Sequence, residues 1–427
     1  MATCKNVQNI GAIDCIGRGF ESCISTTYDH SLNDVNCTFC GQCIESCPTG
    51  ALHEKENIND VWAKLKDPDT FVVVQTAPSV RVALGEEFGM EIGTNVTGKM
   101  VSALKALGFD KVFDTNTGAD FTIMEEATEF VKRFKENDNL PMTTSCCPGW
   151  VRFAEMEYPE NLPHLSSCKS PHQMFGAIIK SYYAEKNNID PSKIYVVSVM
   201  PCIAKKYESQ REEMEVNGAR DVDSVITTRE LARMIKQANI EFDKLEDDTF
   251  DNPMGEATGA AAIFGVTGGV MEAALRTAYE IITGEELQKL EFEDIRGAKG
   301  IKKATIKIGD KEVKVAVAHG LGNARKIMEE IKNGTADYSF VEVMACPGGC
   351  IMGGGQPIKN SKTRMTVDVA GKRAAAMYSI DERSTIRKSH ENPILKEIYK
   401  DYIGKPGEHK AHELLHTHYT PMEEYRI

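Results

Sequence analysis

The amino-acid sequence predicts an α/β protein whose main part has two lobes, each a parallel sheet covered by helices, behind a small cysteine-rich α+β domain. Beyond Ala51 short apolar runs alternate with amphipathic helical patterns, as in parallel strands joined by helical crossovers. Predicted strands lie on both sides of Cys202, so we expect one sheet in each lobe. The change of pattern near residue 65 predicts domains at 1–65 and 66–380.

Charge and hydropathy restrict the function. The 427 residues include 63 acidic and 50 basic side chains, for a net charge of −13, so the basic surface of a nucleic-acid-binding protein is absent. No apolar run reaches the roughly 18 residues that a membrane span needs. Met1 to Cys4 does not begin an export signal. We therefore expect no nucleic-acid partner, no membrane span and a cytoplasmic location.

The N-terminal cysteines have the spacing of an iron-sulfur site. With 13 cysteines and no export signal, metal or redox chemistry is favoured over disulfides. Cys37, Cys40, Cys43 and Cys47 form a C-x2-C-x2-C-x3-C-P run, which holds three thiolates around a 4Fe-4S cube. Zinc is the weaker alternative. The fourth ligand is open, because a cysteine before proline can serve a second cluster.

The expected strands and helices follow in chain order. Apolar runs rich in β-branched residues predict the strands, and helical periodicity between them predicts the helices. Cys15 and Cys23 lie in a strand-like stretch and are expected to pack against the protein. We expect strands at 71–75, 111–113, 194–199, 223–226, 313–317 and 340–343, and helices across about 80–108, 121–134 and 170–186.

Three later motifs, 144–150, 200–206 and 342–357, place cysteines just after strands. Cys202 and Cys346 each follow a predicted strand, and Cys147 follows the short run 142–144. Open α/β sheets bind ligands at the carboxyl ends of their strands. Soft thiolates suit an iron-sulfur cube. The candidate ligands are Cys147, Cys202, Cys346 and Cys350.

Together these motifs resemble the active-site signatures of the iron-only (FeFe) hydrogenases, from about Cys37 to about His418. The resemblance implies a ferredoxin-like N-terminal domain, and a C-terminal belt at 381–427 that packs on the catalytic domain. It implies an H-cluster, in which Cys350 bridges the cube to a diiron unit with carbon monoxide, cyanide and a dithiolate. The implied reaction is reversible reduction of protons to dihydrogen. Ferredoxin or another low-potential carrier would supply electrons, and maturation proteins would install the diiron unit.

The resemblance also assigns residues around the diiron unit. Lys205 would point its ammonium at a cyanide or the dithiolate, as charge-assisted donors do. Ser79 and its neighbour would hold the other cyanide, apolar side chains would exclude water, and glycines would let backbone amides approach. The implied cofactor-binding residues are Pro78, Ser79, Met200, Phe264, Met344, Gly348, Gly349, Gly354 and Gln356.

A proton relay is implied as well, since the reaction needs protons delivered to a buried site. Cys146, beside ligand Cys147, is the expected last carrier, kept neutral by burial. Glu126 and Glu129 lie three apart on one predicted helix and share a face, with Ser166 as a hydroxyl link between them. His172 departs from the family, whose members often carry glutamine there.

The N-terminus departs from the longer relatives in this resemblance. In their pattern Cys4 would complete the cluster of Cys37, Cys40 and Cys43, and Cys47 would serve a second cube. The three other cysteines of that cube would precede Met1. Either Cys4 and Cys47 compete for one cluster, or the N-terminus is shortened.

Other interpretations compete with a ferredoxin-linked hydrogenase. The stretch 11–22 resembles subunits of NAD-linked bifurcating complexes, which makes that the main alternative. A sensory hydrogenase commonly lacks the first cysteine of the 146–147 pair, and an assembly factor breaks up the glycines at 353–355. His412 and His416 fit H-E-x-x-H, the zinc-protease signature, but Tyr419 stands where its longer form has glycine. The stretch 320–325 mimics a dinucleotide fingerprint, with Arg325 in place of the third glycine.

Overall fold

The computed structural model describes residues 1–216, 218–255, 257–297, 300–309 and 311–422. Its strands are β1 Asp14–Ile16, β2 Cys23–Ser25, β3 Phe71–Thr76, β4 Lys111–Asp114, β5 Met142–Thr143, β6 Ile194–Met200, β7 Glu215–Val216, β8 Ala219–Arg220, β9 Ser224–Thr227, β10 Ile301–Ile308, β11 Lys311–His319 and β12 Phe340–Met344.

The α-helices alternate with these strands. They are α1 Gln42–Glu45, α2 Ile58–Leu65, α3 Thr97–Ala106, α4 Thr115–Glu136, α5 Pro148–Glu157, α6 Pro171–Ile178, α7 Ala184–Lys186, α8 Ala204–Glu208, α9 Thr228–Gln237, α10 Gly259–Ala262, α11 Gly269–Thr283, α12 Leu321–Lys332, α13 Ser361–Thr366, α14 Val369–Arg383, α15 Pro393–Ile398 and α16 His409–Leu415. None of the helices in the described ranges is long and apolar enough to cross a membrane.

The first sheet has the order β4-β3-β6-β9, and all of its pairs are parallel. Its strands are almost wholly buried, as expected for a sheet covered on both faces. Helix α2 joins the same core through Ile58 and Val61. The C-terminal segment joins it through Ile394, Leu395 and Leu415, so it packs on this lobe.

The second sheet has the order β10-β11-β12-β5 and is mixed. Strand β11 is parallel to β12, and β12 to β5, but β10 runs antiparallel to β11 along its full length. Strand β10 and its antiparallel pairing are not predicted by the sequence, whose pattern indicates only parallel pairs in this lobe. Strand β10 lies at the edge of the sheet and alternates buried with exposed residues, a pattern of one-sided burial rather than of a central parallel strand.

Helix α4 lies between the two lobes. Phe121 contributes to the core of the first sheet, whereas Ala119 and Ile123 contribute to the core of the second. The helix begins at Thr115, six residues before the predicted start, because the Asp114 side chain caps it by accepting a hydrogen bond from the Asn116 backbone N–H. Arg81 holds the same carboxylate through two nitrogens at 3.0 and 2.7 Å.

The N-terminal segment begins in contact with the second lobe. The Gln8 amide, which is fully buried, donates to the Ala345 carbonyl and accepts from the Leu321 backbone N–H, each at 2.8 Å. Strands β1 and β2 then form a short antiparallel pair. Cys15 and Cys23 lie on these strands but are exposed, so the prediction that they pack was wrong. The pair presents both faces to solvent.

Candidate functional site

Strands of both sheets end around one cavity of about 70 Å³. Strand β3 leads into the turn at Pro78, β6 into Cys202 and β12 into Cys346, while β5 precedes Cys146. This is the edge of an α/β sheet at which ligands bind. The cavity is lined by Ala77, Pro78, Ser79, Thr115, Ala119, Cys146, Cys147, Pro171, His172, Met200, Pro201, Cys202, Lys205, Phe264, Gly265, Met344 and Cys350.

Four of the predicted ligands come together at this place. Burial raises the pKa of Cys202 to about 12, and the charge of nearby Cys147 adds to the effect. Burial also raises the pKa of Cys346 and of Cys350, and the charges of Cys147 and Cys202 raise both values further. Four mutually close thiols from three separate segments fit a soft metal cluster, which would take them as thiolates.

The N-terminal cysteines form a second group. Burial raises the pKa of Cys37 to about 11, with further contributions from the charges of Cys43 and Cys4, and it raises the pKa of Cys40 to about 12. Cys4 therefore lies with the first three cysteines of the run. Cys47 lies elsewhere: its sulfur is 3.5 Å from the Thr49 hydroxyl, whose hydrogen bond is the main cause that lowers its pKa to about 6.

Glycines bring the two thiol groups next to each other. A Cβ on Gly354 would lie 2.6 Å from the Cys40 carbonyl oxygen and 2.7 Å from the Gly41 Cα, so only glycine allows this backbone contact. The charge of Cys40 is among those that raise the pKa of Cys346. The Gln42 amide also donates to the Met352 carbonyl at 3.0 Å. The two candidate clusters are thus neighbours across a closely packed interface.

The cavity offers a few polar groups in apolar surroundings. The Ser79 hydroxyl is buried at the cavity wall and has no hydrogen-bond partner among the described residues. Lys205 supplies a cation. Met200, Phe264 and Met344 line the rest and are at most 6% exposed. An orphaned hydroxyl and an ammonium in an otherwise apolar cavity fit a cofactor that carries small, partly negative ligands.

Gln356 and the glycines of the third motif do not line this cavity. Gln356 donates to the Ser79 carbonyl at 3.1 Å and accepts from the Thr228 hydroxyl at 2.8 Å, so it positions the Ser79 turn. Gly349 has a φ of +94°, and a Cβ there would lie 2.6 Å from the Thr267 nitrogen. Gly348 also has a positive φ, of +89°. These residues shape the backbone around the site.

Lys205 is held by a residue that the sequence analysis missed. Its ammonium donates to Glu208 Oε2 at 2.9 Å and to the Cys146 carbonyl at 3.0 Å. Burial alone would lower the pKa of Lys205, but the Glu208 carboxylate outweighs it and the net shift is upward. His172 Nε2 lies 2.5 Å from the same Glu208 oxygen. The spacing of three on one helix was the available signal for Glu208.

The predicted relay residues are brought together. Cys146 borders the cavity, and burial followed by the charge of Glu126 raises the pKa of its thiol well above the usual value. Glu126 is fully buried and its carboxyl oxygens make no hydrogen bond within the described residues. Burial and the charge of Glu129 raise its pKa to about 8. The Ser166 hydroxyl donates to Glu129 Oε2 at 2.8 Å and lies close enough to influence Glu126.

Arg133 completes the outer end of this chain of groups. Its guanidinium lies 2.6 Å from Glu129 Oε1 and also donates to the Leu165 carbonyl. The Glu129 side chain is 14% exposed, so solvent reaches this end. The sequence analysis did not find Arg133, although its spacing of four from Glu129 on a helix was a signal.

The H-E-x-x-H residues do not form a protease site. The His412 and His416 ring centroids lie 4.1 Å apart with their planes tilted by 36°, and the hydrogen bonds of His416 go to residues outside the motif. Its Nδ1 pairs with the Ser167 hydroxyl at 2.8 Å and its Nε2 with Glu125 Oε2 at 3.0 Å. Glu413 is exposed.

Fold and site together define the class of iron-sulfur proteins, because two neighbouring groups of cysteines are brought together and an apolar cavity adjoins one of them. Family comparisons agree: "Iron only hydrogenase large subunit, C-terminal domain" matches residues 70–354, "Iron hydrogenase small subunit" 367–422 and "4Fe-4S binding domain" 32–53. The chain belongs to the iron-only hydrogenases, a family of oxidoreductases that act on dihydrogen. Its cofactors are a 4Fe-4S cluster and the H-cluster.

Individual relatives support the same family. The NADP-reducing hydrogenase subunit HndD of Solidesulfovibrio fructosivorans is 53% identical over 97% of this chain and 71% of its own length. Iron hydrogenase 1 of Clostridium pasteurianum is 52% identical over 87% of this chain and 65% of its own length. The structure of a variant of the [FeFe]-hydrogenase HydA1 from Chlamydomonas reinhardtii aligns with a TM-score of 0.76 at 43% identity, covering 86% of this chain and 99% of that one. The predicted fold class, family and cofactors are confirmed.

Proposed function

We propose that the chain catalyses the reversible reduction of protons to dihydrogen, with electrons from reduced ferredoxin or another low-potential carrier. The observation that carries the proposal is that Cys147, Cys202 and Cys350 line one apolar cavity together with Cys146 and Lys205. Cys346 lies near Cys202 and Cys147 beside it. The H-cluster, once maturation proteins have installed its diiron unit, supplies the site where electrons and protons combine. The proposed location is the cytoplasm.

The ligands follow from the two thiol groups. Cys147, Cys202, Cys346 and Cys350 would hold the cube, with Cys350 also joined to the diiron unit. Pro78, Ser79 and Lys205 would bind its small ligands from the cavity wall. Hydrogen bonds from charged donors are stronger in an apolar pocket than in water. The buried side chains of Met200, Phe264 and Met344 would exclude water from this one.

Electrons would arrive through the N-terminal cluster. Cys4 is the proposed fourth ligand beside Cys37, Cys40 and Cys43, because its charge acts on Cys37 and Cys43. Cys47 is then free of this cluster. The contact of Gly41 with Gly354 would keep the two clusters close enough for electron transfer.

Protons would move along Glu129, Ser166, Glu126 and Cys146. A carboxyl with a pKa of about 8 takes up and releases protons near neutral pH, which suits Glu126 to this role. Cys146 remains a neutral thiol that can pass a proton into the cavity, since burial disfavours its thiolate.

Hydrogen evolution from reduced viologen tests the proposal, after anaerobic expression with maturation proteins. We expect turnover in the wild type, and loss of nearly all of it in Cys146→Ala with the iron content unchanged. Exposed Cys15 provides a matched control, and Cys15→Ala should stay fully active. Full activity in Cys146→Ala would remove Cys146 from the relay. If the matured protein lacks the vibrational bands of metal-bound carbon monoxide and cyanide, the proposed hydrogenase activity is contradicted.

A second candidate is the catalytic subunit of an NAD-linked electron-bifurcating complex. The relative HndD, named as a subunit of an NADP-reducing hydrogenase, favours it because the similarity covers 97% of this chain. Purification from the native host distinguishes the two functions. Associated subunits that let dihydrogen reduce a nicotinamide cofactor would support the complex. A lone chain that exchanges electrons with ferredoxin would contradict it.

A further inference from the structure

A cluster of metal-binding side chains lies at the solvent end of the proposed relay. Within the described residues, one ligand atom each of Glu129, Cys168 and His416 lies within 4.8 Å of the others. Cys168 is fully buried and the His416 side chain is 5% exposed, while Glu129 is open to solvent at 14%. The cluster therefore has a buried floor and an access route.

The distances suit a small soft cation. Cys168 Sγ is 3.8 Å from Glu129 Oε2. Ligand atoms of a tetrahedral zinc site lie roughly 3.5 Å apart, given its bond lengths to sulfur, nitrogen and oxygen. Since no two of the ligand atoms lie more than 4.8 Å apart, each edge of the cluster would shorten by at most about 1.3 Å to reach that geometry. A thiolate, an imidazole and a carboxylate are the ligands that Zn²⁺ selects.

His416 is already oriented as a ligand would be. Its Nε2 pairs with Glu125 Oε2 at 3.0 Å, and that carboxylate is fixed in turn by the Gly407 backbone N–H at 2.7 Å and by the Tyr399 hydroxyl. Metal-binding histidines typically place their second nitrogen against a carboxylate in this way. Nδ1, now paired with the Ser167 hydroxyl, is the nitrogen left for a metal.

The surrounding charges attract a cation. Besides burial, the charges of Glu129, Glu126 and Glu125 all act on Cys168 and raise its pKa. Arg133 contacts Glu129 through Oε1 and leaves Oε2 facing Cys168. In a second group among the described residues, Glu280, His390 and Glu391, one cation contacts both carboxylates, whereas Arg133 contacts only Glu129 of the first group. There the Lys388 ammonium lies 2.6 Å from Glu280 and 3.3 Å from Glu391, so it already neutralises the carboxylates.

We propose that Glu129, Cys168 and His416 bind one Zn²⁺ or a similar thiophilic divalent cation, with solvent as the fourth ligand. The Cys168 thiol loses its proton to solvent as the metal-sulfur bond forms. Binding itself is independent of the proposed function. Its consequence rests on that function: a metal on Glu129 Oε2 displaces the Ser166 hydroxyl, 2.8 Å away, and closes the proton relay.

Calorimetric titration of the matured enzyme with Zn²⁺ tests the binding. We expect one tight site per chain in the wild type, and affinity at least about tenfold weaker in Cys168→Ser and His416→Gln. His412→Gln removes the exposed member of the H-E-x-x-H pair and His390→Gln disrupts the second group, so both should bind as the wild type does. Mg²⁺ should not bind, because it avoids sulfur. Wild-type affinity in both ligand variants would overturn the proposal.

X-ray absorption at the zinc edge covers the case in which a ligand variant fails to fold. The zinc-loaded wild type should show one sulfur at about 2.3 Å among lighter ligands. A site with no sulfur, or with several, would refute this ligand set. Zn²⁺ should also slow hydrogen evolution in the wild type but not in Cys168→Ser. If the matured enzyme shows no turnover, the proposed function is contradicted, but the test of Zn²⁺ binding remains valid.

Discussion

The Lys205 ammonium lies 2.9 Å from Glu208 Oε2, and the two groups form a buried ion pair at the wall of the cofactor cavity. Burial would raise the pKa of Glu208, but Lys205 and His172 overcome it and lower the value to about 2. Both partners therefore stay charged at neutral pH. The pair fixes a cation where the cofactor's negative ligands are expected.

Glu208→Gln should destabilise the protein, because it leaves the Lys205 charge buried without its counterion. Loss of one partner of a buried pair costs about 3–5 kcal/mol, which denaturant titration can measure. A carboxyl with a lowered pKa stabilises the fold above its ordinary value of 4.5, and this contribution is lost as the pH falls towards about 2. The variant should lack this acid dependence. The exposed pair of Glu241 with Lys244 provides the control, and Glu241→Gln should change stability by under about 1 kcal/mol. Equal effects of the two substitutions would contradict the prediction.

Glu126→Gln should remove a pH dependence of the opposite sign. The raised pKa means that stability is complete below the ordinary value of 4.5 and is lost as the pH rises through about 8, where the buried carboxyl must ionise. Glutamine has the same shape and no charge, so unfolding free energies measured from pH 5 to 9 should fall less in the variant. Hydrogen evolution should fall by about 10²-fold or more, since an amide cannot relay a proton. A pH profile identical to the wild type would argue against a buried, proton-binding Glu126.

Substitutions can show whether Cys4 or Cys47 is the fourth ligand of the N-terminal cluster. Cys4→Ser should lower the iron content by the equivalent of one 4Fe-4S cluster, because Cys4 lies among Cys37, Cys40 and Cys43. Cys47→Ser is the matched control and should keep all iron, since Cys47 lies apart beside Thr49. Iron analysis and the electron paramagnetic resonance of the reduced proteins measure both. Iron loss in Cys47→Ser alone would reverse the assignment.

Gly354→Ala should separate the two clusters. The added Cβ would meet backbone atoms of Cys40 and Gly41 at 2.6 and 2.7 Å, and backbone cannot turn aside as a side chain can. We expect a loss of about 1–3 kcal/mol in stability. Electron transfer from ferredoxin should slow while direct reduction of the catalytic cluster persists. Gly85→Ala is a milder control, because its Cβ would meet side-chain atoms of Met90 and Val96 at 3.0 Å rather than backbone. Unchanged transfer rates would show that the interface tolerates a side chain.

Sequence reasoning identified the candidate ligands but not the groups that surround them. The positions of Cys202 and Cys346 at the ends of strands could be predicted because each follows an apolar run, and the end of such a run can be recognised in the local sequence. Glu208 and Arg133 each had a local signal, a spacing of three from Lys205 or of four from Glu129 on one helix. The contacts of His416 with Ser167 and Glu125 join separate segments, and no local pattern records them. Strand β10 was missed because its three lysines, at 302, 303 and 307, resemble a surface segment until the strand pairs with β11. The glycines at 348, 349 and 354 are expected from the sequence to lie near the cofactor, and only the fold shows that Gly349 and Gly354 pack against backbone.

Gln8 has a practical consequence for work on the electron path. Its amide bridges the Ala345 carbonyl and the Leu321 nitrogen, directly beside Cys346, a proposed ligand of the cube. Deleting the N-terminal residues to remove the first iron-sulfur cluster would also remove Gln8, and with it two hydrogen bonds that support the backbone beside the second cluster. Lost turnover in such a shortened protein would then have two causes. Single cysteine substitutions avoid this ambiguity because they leave the Gln8 hydrogen bonds in place.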